Sequence, residues 1–452
     1  MERAPYFRTL SRVDHRVGYW DPFSWTMTWR KHDHAQQHRC QRRRPFDREV
    51  ILMDTTDTQK LRPRVVVLGA AGEVGAWVSR ELADCADIGS LLLLDVDADR
   101  LDQLVTAATQ GECVEARVID LKNRQRVLDA LQDADLLMNC TSLTLFDEVI
   151  DLAVEARVNY ADLISVPTPA QRHAAADAGI TAVSGLGSSP GLSNVLVSHA
   201  HRELTSVEEV HIQGVAWRAI APSPGLLDTI LWELADDTPT RQYFQNGRYH
   251  WAASMDGSRV AEFPEPIGKQ HVYFVSHTEP QTLPKHFPDL KFCAMRVTWP
   301  VELMNDMRVL NKYGLLDSVE LPDMPGVTAL DATRARIWQK LGGVRTAPCL
   351  LFTQVEVLGT LSGRTIRRVY NLTHPVDWGD IATGRQTGIC AAVGAHLLAK
   401  HGSGQQLGFV DPEVYYDPDE FIAELQKRGT LELTWSDIEV STEAIERAPH
   451  VV

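Results

Sequence analysis

The sequence predicts an α/β protein: a doubly wound parallel sheet, followed by an α+β domain with a mainly antiparallel sheet. Three observations carry this. From Arg64, short apolar runs alternate with amphipathic helical stretches, the signature of strands joined by crossover helices. The first run ends in a glycine-rich loop that opens a helix. Beyond Gly191 the alternation gives way to strand-like segments and a hairpin signal.

Val65–Leu68 is an apolar run suited to a strand buried on both faces. Glu73–Leu82 reads as a helix, with Val74, Val78 and Leu82 on one side. Leu91–Leu94 is a second strand, ending in Asp95. The pattern continues with a helix over Asp99–Thr109, a strand over Val114–Ile119, a helix over Gln125–Leu131 and a strand over Asp135–Cys140. Phe146–Ala156 and Ala170–Ala178 read as helices, Tyr160–Ile164 and Ile180–Val183 as strands. A helix over Leu192–Leu204 leads to strands at Val207–Val215, His271–Ser276, Ala294–Trp299, Leu350–Leu358 and Thr365–Leu372. The last two are joined through Ser362-Gly363. Thr353, Val355 and Val357 alternate with Gln354 and Glu356, which predicts one wet sheet face. Gly384–Ala399 reads as a helix whose Ala391, Ala392, Gly394 and Ala395 permit close packing.

The 452 residues are 44% hydrophobic and 23% charged, too apolar for a disordered chain. A formal charge of −15 disfavours nucleic acid and anionic lipid as partners. No window holds the roughly 18 apolar residues of a membrane span. Seven dispersed cysteines without a CxxC pair fit reduced thiols in a cytoplasm. The first fifty residues, with Arg42-Arg43-Arg44 and aromatics such as Tyr19, Trp20 and Phe23, lack any sustained period; they read as a flexible extension, with Met53 an alternative start. His32, His34, His38 and Cys40 have ligand-type spacing there but no evident supporting residues, so no metal site is expected.

Gly69-Ala70-Ala71-Gly72-Glu73-Val74-Gly75 lies between an apolar strand and an apolar-periodic helix. Gly69 allows the tight turn, Gly72 lets backbone approach a pyrophosphate, and Gly75 lets helix and strand sit close. The diphosphate then meets unpaired N–H groups and the positive end of the helix dipole. Alone, such a loop is also a ligand-free βα turn. Asp95 ends the second strand at the position where a carboxylate accepts hydrogen bonds from the adenosine ribose, and its charge repels a 2′-phosphate. Strand, loop and carboxylate in register predict a Rossmann-type dinucleotide site taking NAD rather than NADP. Asp120, ending the third strand, faces the adenine or solvent. Thr141 and Ser142 follow the fourth strand, at the carboxyl edge where open α/β sheets bind ligands.

Further segments carry a family resemblance. Met138-Asn139-Cys140-Thr141, Gly185-Leu186-Gly187-Ser188-Ser189-Pro190-Gly191-Leu192-Ser193-Asn194, His277-Thr278-Glu279-Pro280-Gln281-Thr282-Leu283-Pro284, Thr387-Gly388 and Pro412-Glu413 accompany the glycine loop. Together, over residues 64 to 415, they resemble the saccharopine dehydrogenase family, in particular its lysine 6-dehydrogenase-like branch. Cys390 departs from the proline more usual there. The resemblance implies an NAD(P)-dependent oxidoreductase acting at the carbon–nitrogen bond of an amino acid, with a second domain that often dimerises. The expected organisation is an extension at 1–52, a dinucleotide domain at 53–190, an α+β substrate and dimerisation domain at 191–375, and a return helix with tail at 376–452. A homodimer with an amino-acid or imine substrate follows from the likeness. So do two chemistries: oxidation of a terminal amine such as that of lysine (or the reverse imine reduction), and a saccharopine-type condensation. A non-catalytic NAD sensor is the alternative from another class.

Amine oxidation needs a proton acceptor, a partner for the cationic nitrogen and an anchor for the substrate carboxylate. Placed two apart on a strand edge, His277 is expected to accept the proton and Glu279 to hold the ammonium or iminium. The plain alternative is an exposed strand-end pair. Asp162 is a second acid/base candidate or a helix cap. Arg218 and Arg296 are carboxylate anchors or ordinary ion-pair residues, and Thr282 joins them as a substrate-binding candidate. Pro190 and Gly191 are expected to provide a hinge and backbone N–H groups near the nicotinamide, with Thr387 and Gly388 closing that side. Trp217, Trp232 and Trp299 line a pocket or pack in the core.

Overall fold

A computed structural model of the chain describes residues 62–108, 113–345, 349–402 and 406–440. The expectations for residues 1–52, including the histidine cluster, lie outside these residues.

The first domain builds as the alternation dictates: β1 (Arg64–Leu68), α1 (Glu73–Ala83), β2 (Ser90–Asp95), α2 (Ala98–Ala107), β3 (Val114–Val118), α3 (Arg124–Leu131), β4 (Leu136–Asn139), α4 (Phe146–Ala156), β5 (Asn159–Asp162), α5 (Pro169–Ala178) and β6 (Thr181–Val183). All these strands pair in parallel, in the order β6-β5-β4-β1-β2-β3. Strands β1 and β4 sit at the centre, and their apolar runs are buried on both faces. The order reverses between β1 and β4, which opens the crevice that binds ligands in such sheets.

The second part begins with α6 (Leu192–Glu203) and β7 (Ser206–Trp217), then α7 (Pro224–Leu234), β8 (Gln242–Gln245), β9 (Arg248–Trp251), β10 (Arg259–Phe263), β11 (Gly268–Phe274), α8 (Glu279–His286) and β12 (Phe292–Thr298). Helices α9 (Val301–Lys312) and α10 (Ala329–Leu341) precede the hairpin of β13 (Leu350–Leu361) and β14 (Arg364–Thr373). The sheet runs β10-β11-β12-β7-β13-β14 and ends on β16 (Glu432–Glu439). It is antiparallel except where β12 meets β7.

The chain returns to the first domain through α11 (Ala382–His401) and also through β15 (Gly408–Val410), which adds a seventh parallel strand beside β6. Helix α12 (Pro412–Tyr415) and α13 (Pro418–Lys427) follow. Close packing of α11 is borne out: Ala391, Ala392 and Ala395 are fully buried, and a Cβ at Gly394 would stand 3.0 Å from the Leu186 side chain; one at Gly384 would stand 2.5 Å from the Glu73 side chain, and one at Gly388 2.5 Å from Trp77. Cys390 is fully buried in this helix.

Two expectations are corrected. Gln354 and Glu356 do not face water; both are buried, with Gln213 donating to each at 3.0 Å and Arg259 pairing with Glu356. Residues 277–284 are not a strand edge, because α8 begins at Glu279 despite Pro280 and Pro284. Among the described residues, no helix is long and apolar enough to cross a membrane.

Candidate active site

The carboxyl ends of β1–β4 face β7, β12 and β13 of the second sheet across a cavity of about 550 Å³. One wall is the predicted glycine loop. Gly69 has φ +80°, and a Cβ there would meet the Cys140 carbonyl carbon at 2.7 Å; one at Gly75 would meet the Gly69 oxygen at 2.0 Å. Gly75 therefore works by packing and is not in the cavity wall, whereas Gly69, Gly72, Glu73 and Val74 are. Helices α2, α3 and α5 are capped by the side chains of Asp97, Asn123 and Thr168, but α1 is entered from Gly72 and has no side-chain cap. Its first N–H groups are left for an anion, so the loop fits a dinucleotide diphosphate.

Asp95 sits at the same end. Its Oδ2 accepts from the Ala71 N–H at 2.9 Å, and its Oδ1 from the N–H groups of Val96 and Asp97 at 2.7 and 3.2 Å. These bonds fix the carboxylate beside the loop, with lone pairs remaining for ribose hydroxyls. Asp120 and Arg100 share this wall. Thr141 and Ser142 line the next stretch; Asn139 Oδ1 holds the Thr141 N–H and hydroxyl at 3.0 and 2.7 Å, while its Nδ2 donates to the Tyr160 hydroxyl at 3.0 Å. Arg345, from the second part of the chain, donates to both Glu73 oxygens at 3.1 Å and so ties that part to the loop.

The opposite wall brings together Ser189, Arg218, Glu233, His277, Met295 and Trp299. His277 is 4% exposed. Its Nδ1 lies 3.1 Å from Glu279 Oε2 and its Nε2 3.3 Å from Glu233 Oε1. Burial opposes a charge on this ring, but the carboxylates of Glu279 and Glu233 outweigh it and hold the imidazole protonated up to about 10. Burial also works against ionisation of Glu279, yet His277 and Ser189 keep its carboxyl below the usual range. Glu279 has no exposed surface, and its Oε1 accepts from Ser189 and Ser193.

Arg218 reaches the cavity at 4% exposure, its Nη groups bonded to the carbonyls of Ala219, Ile220 and Leu226 and its Nε unpartnered. Arg296 does not. Met295 and Val297 face the cavity, so alternation turns Arg296 to the far side of the sheet, where it bonds the Gly257 carbonyl and covers Phe274. Thr282 is also outside, accepting from Asn194 at 3.2 Å. Asp162 is fully buried at the end of β5 and brackets the N–H groups of Ser165 and Gly185 and the hydroxyls of Ser165 and Ser184. It holds the loop after β5 and does not line the cavity. Pro190 lines the cavity, but the Gly191 N–H donates to Asn194 Oδ1 at 3.0 Å, so neither residue offers an N–H to a ligand. Thr387 lines the wall, and Trp299 alone of the three tryptophans does so. Glu233 was not singled out from sequence.

Residues 65–183 match the saccharopine dehydrogenase NADP binding domain. Over these residues the chain is similar to the saccharopine dehydrogenase family. The family's domain sits where the glycine cradle is observed, and the chain is accordingly an NAD(P)-dependent oxidoreductase. It is 26% identical over 407 residues to a carboxyaminopropylagmatine dehydrogenase from Synechocystis sp., a match covering 83% of this chain and 97% of that one. Among solved structures, saccharopine dehydrogenase (L-Glu forming) from Saccharomyces cerevisiae superimposes with a TM-score of 0.58 at 15% identity, covering 83% of this chain and all of that chain. A homospermidine synthase from Legionella pneumophila in complex with NAD gives 0.53 at 14% identity, covering 83% and 91%. These two likenesses concern the fold.

Proposed function

We propose that the protein oxidises, or in reverse forms, the C–N bond of a secondary amine built from an amino acid or polyamine. The carrying observation is one continuous cavity with an uncapped helix N-terminus at the glycine loop on one wall and Arg218, Glu233 and His277 on the other. The bound nicotinamide would supply two-electron oxidation or reduction at the carbon beside the nitrogen. Gly69 and Gly72 admit the diphosphate, the α1 N-terminus neutralises it, and Asp95 accepts from the ribose, which favours NAD. Arg218 holds a substrate carboxylate, its orientation set by three main-chain carbonyls. Trp299, Met295 and Val297 give the substrate an apolar wall and keep water from the reacting carbon.

The secondary amine is preferred over the terminal amine of lysine because the curated relative, matched over nearly its whole length, is named for such a substrate. Incubation with carboxyaminopropylagmatine, saccharopine or lysine, each with NAD and with NADP, tests both choices through the absorbance of the reduced nucleotide. Turnover of a secondary amine with NAD is the expected result. Turnover of lysine alone would return the assignment to a lysine 6-dehydrogenase-like reaction, and a strong NADP preference would overturn the role of Asp95. A second copy of the chain is the proposed partner, after the family likeness, and a measured solution mass checks it.

A further inference from the structure

We propose that Glu233 is the carboxylate that holds the reacting nitrogen as a cation, and that His277 is a positioning residue. This rests on the C–N chemistry proposed above and reverses the division of labour that the sequence implies. Both ring nitrogens of His277 face carboxylate oxygens, Nδ1 toward Glu279 and Nε2 toward Glu233. Ionised carboxylates only accept hydrogen bonds, so both nitrogens must carry protons and the ring has no lone pair for a substrate proton. Glu279 cannot meet the substrate either. It has no exposed surface, and its oxygens are occupied by Ser189, Ser193 and His277.

Glu233 remains. It lines the cavity, its Oε1 accepts from His277, and its Oε2 has no partner among the described residues. Two carboxylates face one imidazolium here, and Arg218, the other cation of this wall, attracts Glu233 through space without bonding it. Arg218 makes no ion pair with Glu233 among the described residues; its guanidinium is held by main-chain carbonyls. An ammonium donates to the open Oε2; the iminium, formed once the nitrogen has released a proton to the solvent of the cavity and the adjacent carbon a hydride to the nicotinamide, keeps its N–H on the same oxygen. Because Glu233 is pinned by His277, and His277 by Glu279, the carboxylate needs little reorganisation as the nitrogen changes state. The substrates favoured are therefore amines that are cationic at the reacting nitrogen.

Two measurements on the full-length chain test this. In protein labelled with nitrogen-15 histidine, with His277→Gln used for assignment, the His277 ring should show protons on both nitrogens from pH about 6 to about 9. A single ring proton at neutral pH would overturn the positioning role. Calorimetric binding of carboxyaminopropylagmatine and saccharopine to protein saturated with the reduced nucleotide, where the amine cannot be oxidised, reads the second claim. Glu233→Gln should weaken binding by roughly 30-fold or more, while Glu233→Asp, which keeps the charge, should stay within about 10-fold of the parent. Equal binding by Glu233→Gln and the parent would sink the Glu233 assignment and leave the substrate class standing. If the parent binds neither amine, the substrate class and the Glu233 assignment both fall, and the ring protons still decide the role of His277.

Discussion

Nε2 of His277 lies 3.3 Å from Oε1 of Glu233, although 44 positions of chain separate the two. The contact forms because α7 turns Glu233 out of an otherwise apolar face that contains Leu227, Ile230, Leu231 and Leu234. Together with Glu279 it makes a three-member buried chain of charge whose open end is the cavity.

The ring of His277 should make stability fall in mild base. Its protonation range in the folded state is raised to about 10, against about 6.5 when unfolded. A raised histidine contributes stability fully below the unfolded value and loses it as pH climbs through the folded one. Thermal unfolding should therefore show a decline between about pH 7 and 10 that is shallower in His277→Gln. The variant itself should be less stable at neutral pH by an amount on the order of a few kcal/mol, because two buried carboxylates lose their shared cation. Parallel curves for variant and parent would contradict the observed pairing.

Replacing Asp95 should change cofactor choice at some cost in affinity. Asp95→Ser removes the charge facing a 2′-phosphate, but also loses an acceptor for the Ala71 N–H. NAD binding is expected to weaken roughly 10-fold and the ratio of NADP to NAD affinity to rise by 10-fold or more, on the order of 1–2 kcal/mol for a charge-assisted contact. Fluorescence titration with the two reduced nucleotides measures both. An unchanged ratio would mean that Asp95 does not meet the ribose.

The second and third glycines of the loop should separate fold from cofactor. At Gly75 a Cβ would lie 2.0 Å from the Gly69 oxygen, a backbone clash, so Gly75→Ala is expected to cost stability by roughly 2–4 kcal/mol. At Gly72 the nearest atom, the Gly69 backbone oxygen, is 3.1 Å away and need shift only by tenths of an ångström, so Gly72→Ala should cost less stability than Gly75→Ala and weaken dinucleotide binding by roughly 10-fold or more. Thermal unfolding paired with nucleotide titration distinguishes the two.

These contrasts show where the sequence was informative. The first sheet was legible because each strand is an apolar run and each helix keeps a 3.6-residue period, so local pattern and buried face agree. The cofactor wall followed from the same run of residues, since loop, strand end and carboxylate are neighbours along the chain. The opposite wall was only half visible. Pro280 and Pro284 masked α8, where one proline is tolerated in the first turn and the other lies near the end. Glu233 could have been noticed as a carboxylate within the apolar face of a helix opened by Ser223 and Pro224; what it faces depends on tertiary packing. Gln354 and Glu356 misled for the opposite reason: alternation normally marks a wet face, but here Arg259 and Gln213 satisfy them internally.

Arg218 and Arg296 look alike in sequence and should behave oppositely. Both are buried arginines, Arg218 just past the end of β7 and Arg296 on the neighbouring β12, yet only Arg218 is in the cavity wall. Arg218→Met keeps the stem that packs there and deletes the charge, so it should raise KM for a carboxylate-bearing amine by roughly 30-fold or more, with a smaller effect on an analogue lacking the carboxylate. Its effect on folding is tempered because a buried guanidinium is removed along with its desolvation cost. Arg296→Met should leave KM within about 2-fold and instead lower stability by about 1–3 kcal/mol, since the Gly257 carbonyl loses its donor and Phe274 the cation above its ring. Steady-state kinetics and unfolding on the two variants check the pair. A large KM change in Arg296→Met would mean that the far face of the sheet takes part in substrate binding.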